Sequence, residues 1–515
     1  MRKVPDRNRL GPLGHLRAVL LASSLLIVAA AGGLALAGHW ALGVGLLLVA
    51  AMTAISVRWP AVSVSALLLA AYLPTTLYFA VARPAVGALK RSNSGTWGQP
   101  FGGLQISDIV LLAMLAAACL IVLKRHLSSD QPRAARRVPL MVWLPAGLFA
   151  CWMFIEVARN LGRYGISAPG EFRFEYLGLA VVPYLCVAAR DITCQRRLLW
   201  VLLVGTLFVP LALVPVIGAI KGWTVGADSR FFPASVSLGL FYGAGALVLA
   251  KARRVVRTPT WLVAVTVGLV GVFVFIDGNR SVWLAGAGAV LVTALLRAFP
   301  RQSIRRDGVA VAAALCASLA VSWVALASLP VAVSGGSTSS TVGNSASPAH
   351  SNPLAYVHTR GIAYVDPSAD RNSAWRMAVW RSAFRQIRAV PVVGVGFGGY
   401  WNFPMSPSIS KHLVKVQPHD VYIQTWLKTG GVGLLLYLAS IAGVFAYVFR
   451  AWIRTQASGK PIPVLLVTIG VIVLISSSLF MVVYSFADTS LLWTGLALGA
   501  AATQLPGSPR AAGAS

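Results

Sequence analysis

Three basic side chains stand where phosphate chemistry could be done. Arg230 lies just before Pro233, Arg280 just before Ser281, and His419, with Asp420 beside it, ahead of a long apolar stretch. Each position reads as the outer start of a helix that enters a membrane. The amides at such a start are free and carry about half a positive charge. They take phosphate readily, and an arginine fork can grip the same phosphate through two hydrogen bonds. A simpler reading stays open at each position. Arg230 can be an interfacial anchor, Arg280 a partner of Asp277, and His419 an ordinary loop histidine.

The elements that must position these groups are apolar helices. Of 515 residues 57% are hydrophobic and only 11% charged, against about 25% charged in soluble domains. A single soluble domain, a disordered chain and a fibrous repeat are thereby excluded. A hydrocarbon core of about 30 Å needs about 20 apolar residues per helix. Fourteen runs qualify: 18–38, 40–57, 61–82, 105–123, 140–157, 174–189, 198–220, 233–250, 260–276, 281–296, 309–330, 431–449, 463–483 and 487–504. The expected fold is all-α, a polytopic transmembrane bundle of about 14 spans with one large extracytoplasmic loop carrying amphipathic helices. The first run reads as a span, not a removed signal peptide. Four regions follow: 1–220 as N-terminal spans, 221–330 as spans with short outer-face loops, 331–430 as the outer loop, and 431–515 as C-terminal spans.

Charge sets the orientation. With the N-terminus inside, 26 basic residues fall in inner segments and 9 in short outer loops, as the positive-inside rule requires. Both termini are then cytoplasmic. The net charge of +30 is mostly topology, and nucleic acid is not an expected partner. Ten acids, Glu156, Glu171, Glu175 and Asp420 among them, fall in outer loops or near outer helix ends. No carboxylate is expected at the midplane, where ion-coupled carriers hold theirs. The five cysteines show no metal-binding or disulfide spacing.

Within the outer loop, Ser334 to Pro353 reads as a flexible linker. Asn372 to Arg388 reads as an amphipathic helix. Met377, Trp380, Phe384 and Ile387 share one face, and Arg381, Arg385 and Arg388 another. Such a helix suits the lipid headgroup zone; the alternative is that its apolar face roofs the bundle. GVGFGGYWN, 394–402, reads as a close-packed turn, since no strand precedes it as a dinucleotide fingerprint requires. The short tenth span, 281–296, spans roughly 24 Å, which should draw Arg280 beneath the outer surface.

The stretch PHDVYIQTWLKTGGVG, residues 418–433, resembles the motif of the O-antigen ligase and Wzy-type polymerase superfamily: His, then Asn, Ser or Gln, nine residues, Gly, two residues, Gly. His419, Gly430 and Gly433 keep that spacing. Asp420 stands where the family carries an amide or hydroxyl. PVVGVGFGGY (391–400), NRSVW (279–283) and SRFFPASVSLG (229–239) are similar to the segments that precede the family's histidine and carry its outer arginines.

The resemblance implies a glycan transferase at the outer face of a bacterial cytoplasmic membrane. The donor is a saccharide on polyprenyl pyrophosphate; the acceptor is a hydroxyl of a glycan, a lipid or a protein. Arg230 and Arg280 would stabilise the departing pyrophosphate. His419 would take the acceptor proton, since a free imidazole titrates near pH 6.5. Asp420, Tyr422, Gln424, Arg381 and Arg385 are candidate substrate-binding residues, with helix packing as the alternative for Tyr422 and Gln424. No cofactor is implied. No DxD-like cluster appears in the outer loops, so metal-independent transfer is expected. A flippase for lipid-linked saccharides and a scaffold for other glycan enzymes are the competing classes. The chain shows no clear internal repeat between its halves, which argues against a carrier.

Overall fold

In a computed structural model the described residues are 29–30, 36, 40–71, 106–127, 140–165, 167–221, 232, 234–276, 280–298, 371–399, 418, 420–455, 460–479 and 488–503. These form helices and turns only. In chain order they are α1 (Trp40–Arg58), α2 (Pro60–Ala71), α3 (Ile106–Leu127), α4 (Leu140–Tyr164), α5 (Ser167–Tyr176) and α6 (Val181–Ala188). Then come α7 (Ile192–Leu203), α8 (Val209–Lys221), α9 (Ala234–Ala252), α10 (Thr260–Ile276) and α11 (Arg280–Ala298). The last four are α12 (Arg371–Ala389), α13 (Val421–Thr455), α14 (Pro461–Leu479) and α15 (Asp488–Ala502). Five stretches are long and apolar enough to cross a membrane, and further apolar helices are shorter. The chain is a polytopic, all-helical membrane protein.

The expected runs match α1 and α10 closely, whereas run 174–189 is divided among the end of α5, a 3-10 turn (Leu177–Ala180) and α6, and run 198–220 begins inside α7. Runs 18–38 and 309–330 lie outside the described residues, apart from three positions in the first. Several helices outlast their apolar runs, three of them beside the candidate residues. α4 continues to Tyr164, which takes Glu156 into its interior. α13 begins ten residues ahead of its run. α11 has 19 residues, or about 28 Å, longer than the 281–296 run.

The core forms around α14. It packs on α15, α11 and α13, while α15 packs on α6 and α3 packs on α1 and α6. Leu465, Val467, Val471, Val473 and Trp493 are wholly buried. A Cβ on Gly470 would stand 2.1 Å from the Ala497 Cβ, so α14 and α15 meet at the close approach that small residues permit in membranes. Several buried hydroxyls find partners, which a medium without water favours. Tyr184 donates to the Ser56 carbonyl at 2.8 Å, and the Tyr242 hydroxyl meets those of Ser476 and Ser477 at 2.7 and 2.9 Å. Between α7 and α8 the helix widens into a π turn, Val204–Phe208. Pro210 has no N–H to continue the ladder there.

Candidate functional site

The motif from Pro418 to Gly433 covers the start of α13, and α13 is broken. Gly430 takes φ 70° and ψ −175°, open to glycine without penalty. A break in a helix strands carbonyls before it and amides after it. Here the 391–396 turn takes them up. Val395 and Gly396 donate to the carbonyls of Leu427 and Lys428 at 2.8 and 3.0 Å. The Trp152 indole donates to the Thr429 carbonyl at 2.9 Å. Beyond the break, the amides of Gly431 and Val432 donate to the carbonyls of Pro391 and Val392. The turn is thus a splint across the break.

The splint explains the glycine spacing. A Cβ on Gly430 would lie 2.0 Å from the Val392 oxygen, and one on Gly433 would strike the Thr429 hydroxyl at 1.9 Å. The glycines of 394–399 therefore form a turn packed on the bundle.

A buried ion pair fastens the splint. The Lys428 ammonium stands 2.7 Å from a Glu171 oxygen, with side chains 4% and 9% exposed. Lys428 also donates to the Gly399 carbonyl at 2.9 Å, and the second Glu171 oxygen accepts the Gly398 amide. Around them Arg159 pairs with Glu156 at 2.6 Å and donates to the Val393 carbonyl. Arg173 meets Asp108 at 3.3 Å. Sequence reading placed Glu156 and Glu171 at the outer side without roles. It assigned Lys428, Arg159 and Trp152 nothing. The one available signal was a lysine in an apolar helix, which needs a buried acid somewhere.

Asp420 caps α13. Its Oδ1 accepts the amides of Tyr422 and Ile423, each at 2.9 Å. Asn, Ser and Asp share that capping ability, which accounts for Asp at a position where the family has an amide or hydroxyl. Burial pushes the Asp420 carboxyl above its usual range, and the two amides pull it back in part. These amides are occupied and a carboxylate covers them, so the start of α13 is not a free phosphate cradle. Tyr422 donates to the Ser478 carbonyl at 2.8 Å, and Gln424 is buried.

α12 occupies the place expected for the amphipathic helix, with a different face inward. Val379, Ala383 and Ile387 are buried against Leu427, with Trp380, Ile423 and Trp426 around them. Phe384 is 39% exposed and Met377 half-buried. Arg381, Arg385 and Arg388 are exposed. The helix roofs the bundle through its smaller side chains.

Among the three leading candidates, Arg280 is the first residue of α11, as expected; its side chain lies outside the described residues. Arg230 and His419 also lie outside them. His419 is flanked by Pro418 and Asp420, both buried. Cys119, Cys151, Cys186 and Cys194 are free thiols.

Residues 264–438, about a third of the chain, match the family model described as O-antigen ligase. Arg280 and His419 fall inside that segment, and Arg230 outside it. A protein of Pseudomonas aeruginosa named O-antigen ligase is 28% identical over 89 residues, covering 17% of this chain and 21% of the relative. The chain thus spans about a fifth of the length of this curated relative. Residues 264–438 are thus similar to the O-antigen ligase family, the one implied by the spacing of His419, Gly430 and Gly433.

Proposed function

We propose that this protein transfers an oligo- or polysaccharide from a polyprenyl-pyrophosphate carrier to an acceptor hydroxyl, at the outer face of a bacterial cytoplasmic membrane. One observation carries the reading: the family segment holds both Arg280, which opens α11, and His419, next to the capped start of α13. His419 takes the proton of the acceptor hydroxyl. The new bond forms between that oxygen and the sugar's anomeric carbon. The bond from this carbon to the pyrophosphate oxygen breaks, and polyprenyl pyrophosphate leaves with the electron pair. Arg280 and Arg230 stabilise the charge on the leaving group. Arg280 does so at a helix start, where the backbone adds positive charge. Arg381 and Arg385, exposed on α12, offer further cations to carrier phosphates. Asp420 serves the site through the backbone it caps, and Tyr422 and Gln424 line the same turn of α13.

The test uses the purified full chain, a polyprenyl-pyrophosphate oligosaccharide and candidate acceptors, with EDTA present. Transfer is expected in the wild type. It should fall on the order of 10² to 10³-fold in His419→Ala, Arg280→Ala and Arg230→Ala. Unchanged transfer in the folded variants overturns the assignment. Movement of labelled lipid-linked sugar across vesicles without glycan transfer would instead mark a flippase. In a deletion strain, single repeats without long chains identify a polymerase, and accumulated lipid-linked long chains a ligase.

A further inference from the structure

The Trp380 indole on α12 donates to the Pro418 carbonyl at 2.7 Å. This bond joins two segments 38 residues apart in the chain, and it ends on the residue next to His419. We propose that Trp380 is a positioning residue for His419, acting through the Pro418 backbone. The proposal rests on the reading of His419 as the base.

Three observations carry it. First, the indole is held at both ends. Its N–H is spent on Pro418, and its ring packs in the cluster of Val379, Ala383, Ile387 and Leu427, beside Ile423 of α13. Second, the other neighbour of His419 is equally fixed, since the Asp420 carboxylate is held by the amides of Tyr422 and Ile423. Third, His419 stands in the sequence directly between these two held residues. Proline at 418 stiffens that segment further by fixing its own φ. An imidazole that must meet a hydroxyl at hydrogen-bond distance needs such confinement. Trp426 makes a comparable bond, to the Pro391 carbonyl at 3.2 Å, but that bond secures the splint and not the residue beside the histidine.

The test is a double-mutant cycle on the purified full chain: wild type, Trp380→Phe, His419→Ala and the pair. Trp380→Phe keeps the packed ring and removes the donor. We expect kcat to fall between roughly tenfold and a hundredfold, with donor KM unchanged and little loss of thermal stability. In the His419→Ala background the same change should cost no further rate, because its effect passes through the missing imidazole. Wild-type kcat in Trp380→Phe, a loss confined to KM, or a full independent loss on top of His419→Ala overturns the proposal. Failure of the underlying reading shows separately, as wild-type transfer by His419→Ala alone. Pro418→Gly provides a second route that leaves the α12 packing intact. It should reproduce the kcat loss and its disappearance without His419; wild-type behaviour there also overturns the proposal.

Discussion

α14 and α13 are neighbours of similar hydropathy built on opposite plans. In α14 the apolar window is 78% buried, whereas in α13, and in its partner α4, it is 22% buried. α14 is held by apolar side chains from several sides. α13 is held at its N-terminal end by directed polar bonds: a splinted break, an ion pair and a capped start. The region matched to the family uses both kinds of packing: α10 and α11 put Val267, Val282 and Ala285 into the core, while the start of α13 rests on the splint. Apolar burial gives cohesion without direction, while hydrogen bonds and ion pairs set angles and distances. A site that must hold two distant segments in register needs the second kind.

The comparison is sharpened most by the ion pair. Lys428→Ala leaves the Glu171 carboxylate buried without its cation, so thermal or denaturant unfolding in detergent should show a loss of about 3–5 kcal/mol. Transfer should vanish with it, because the splint is attached at Gly398 and Gly399. Leu465→Ala in α14 is the contrasting case. It should cost about 2–5 kcal/mol of stability by leaving a cavity, yet the protein that remains folded should transfer at the wild-type rate. Equal kinetic damage from both variants would break the distinction.

Smaller effects come from the cap. Asp420→Ala removes the acceptor for two amides and should cost about 1 kcal/mol, read as a lower midpoint. Asp420→Asn keeps an acceptor and removes the charge. The folded carboxyl of Asp420 is raised, above about 3.9 for the unfolded chain. Its contribution to stability is therefore complete below pH 4 or so and declines as pH rises through the folded value. Wild type and Asp420→Asn should differ most in midpoint above that window, with the asparagine variant ahead. The same midpoint difference at every pH would contradict the raised carboxyl.

Much of this architecture was open to the sequence. Hydropathy marks the apolar helices and the polytopic character of the chain, because lipid makes one strong demand on every residue. The motif glycines and His419 stood out by spacing. The reason for Gly430 did not, since the groups that repair its break come from Trp152 and residues 391–396. Glu171 and Lys428 are likewise far apart in the chain, and a charged residue does not announce its partner. On α12 the inward side keeps Trp380 and Ile387 of the expected apolar stripe but takes Val379, Ser382 and Ala383 in place of Met377 and Phe384. Choosing between those faces requires the surface opposite.

The interruption at Gly430 divides labour along one stretch of chain. A continuous rod would transmit every tilt of the buried portion to its tip. Here the nine residues from Val421 to Thr429 answer to the roof and the turn, and the remainder answers to the helices it packs on. A tilt of either half of this helix can therefore leave the other half's aim untouched.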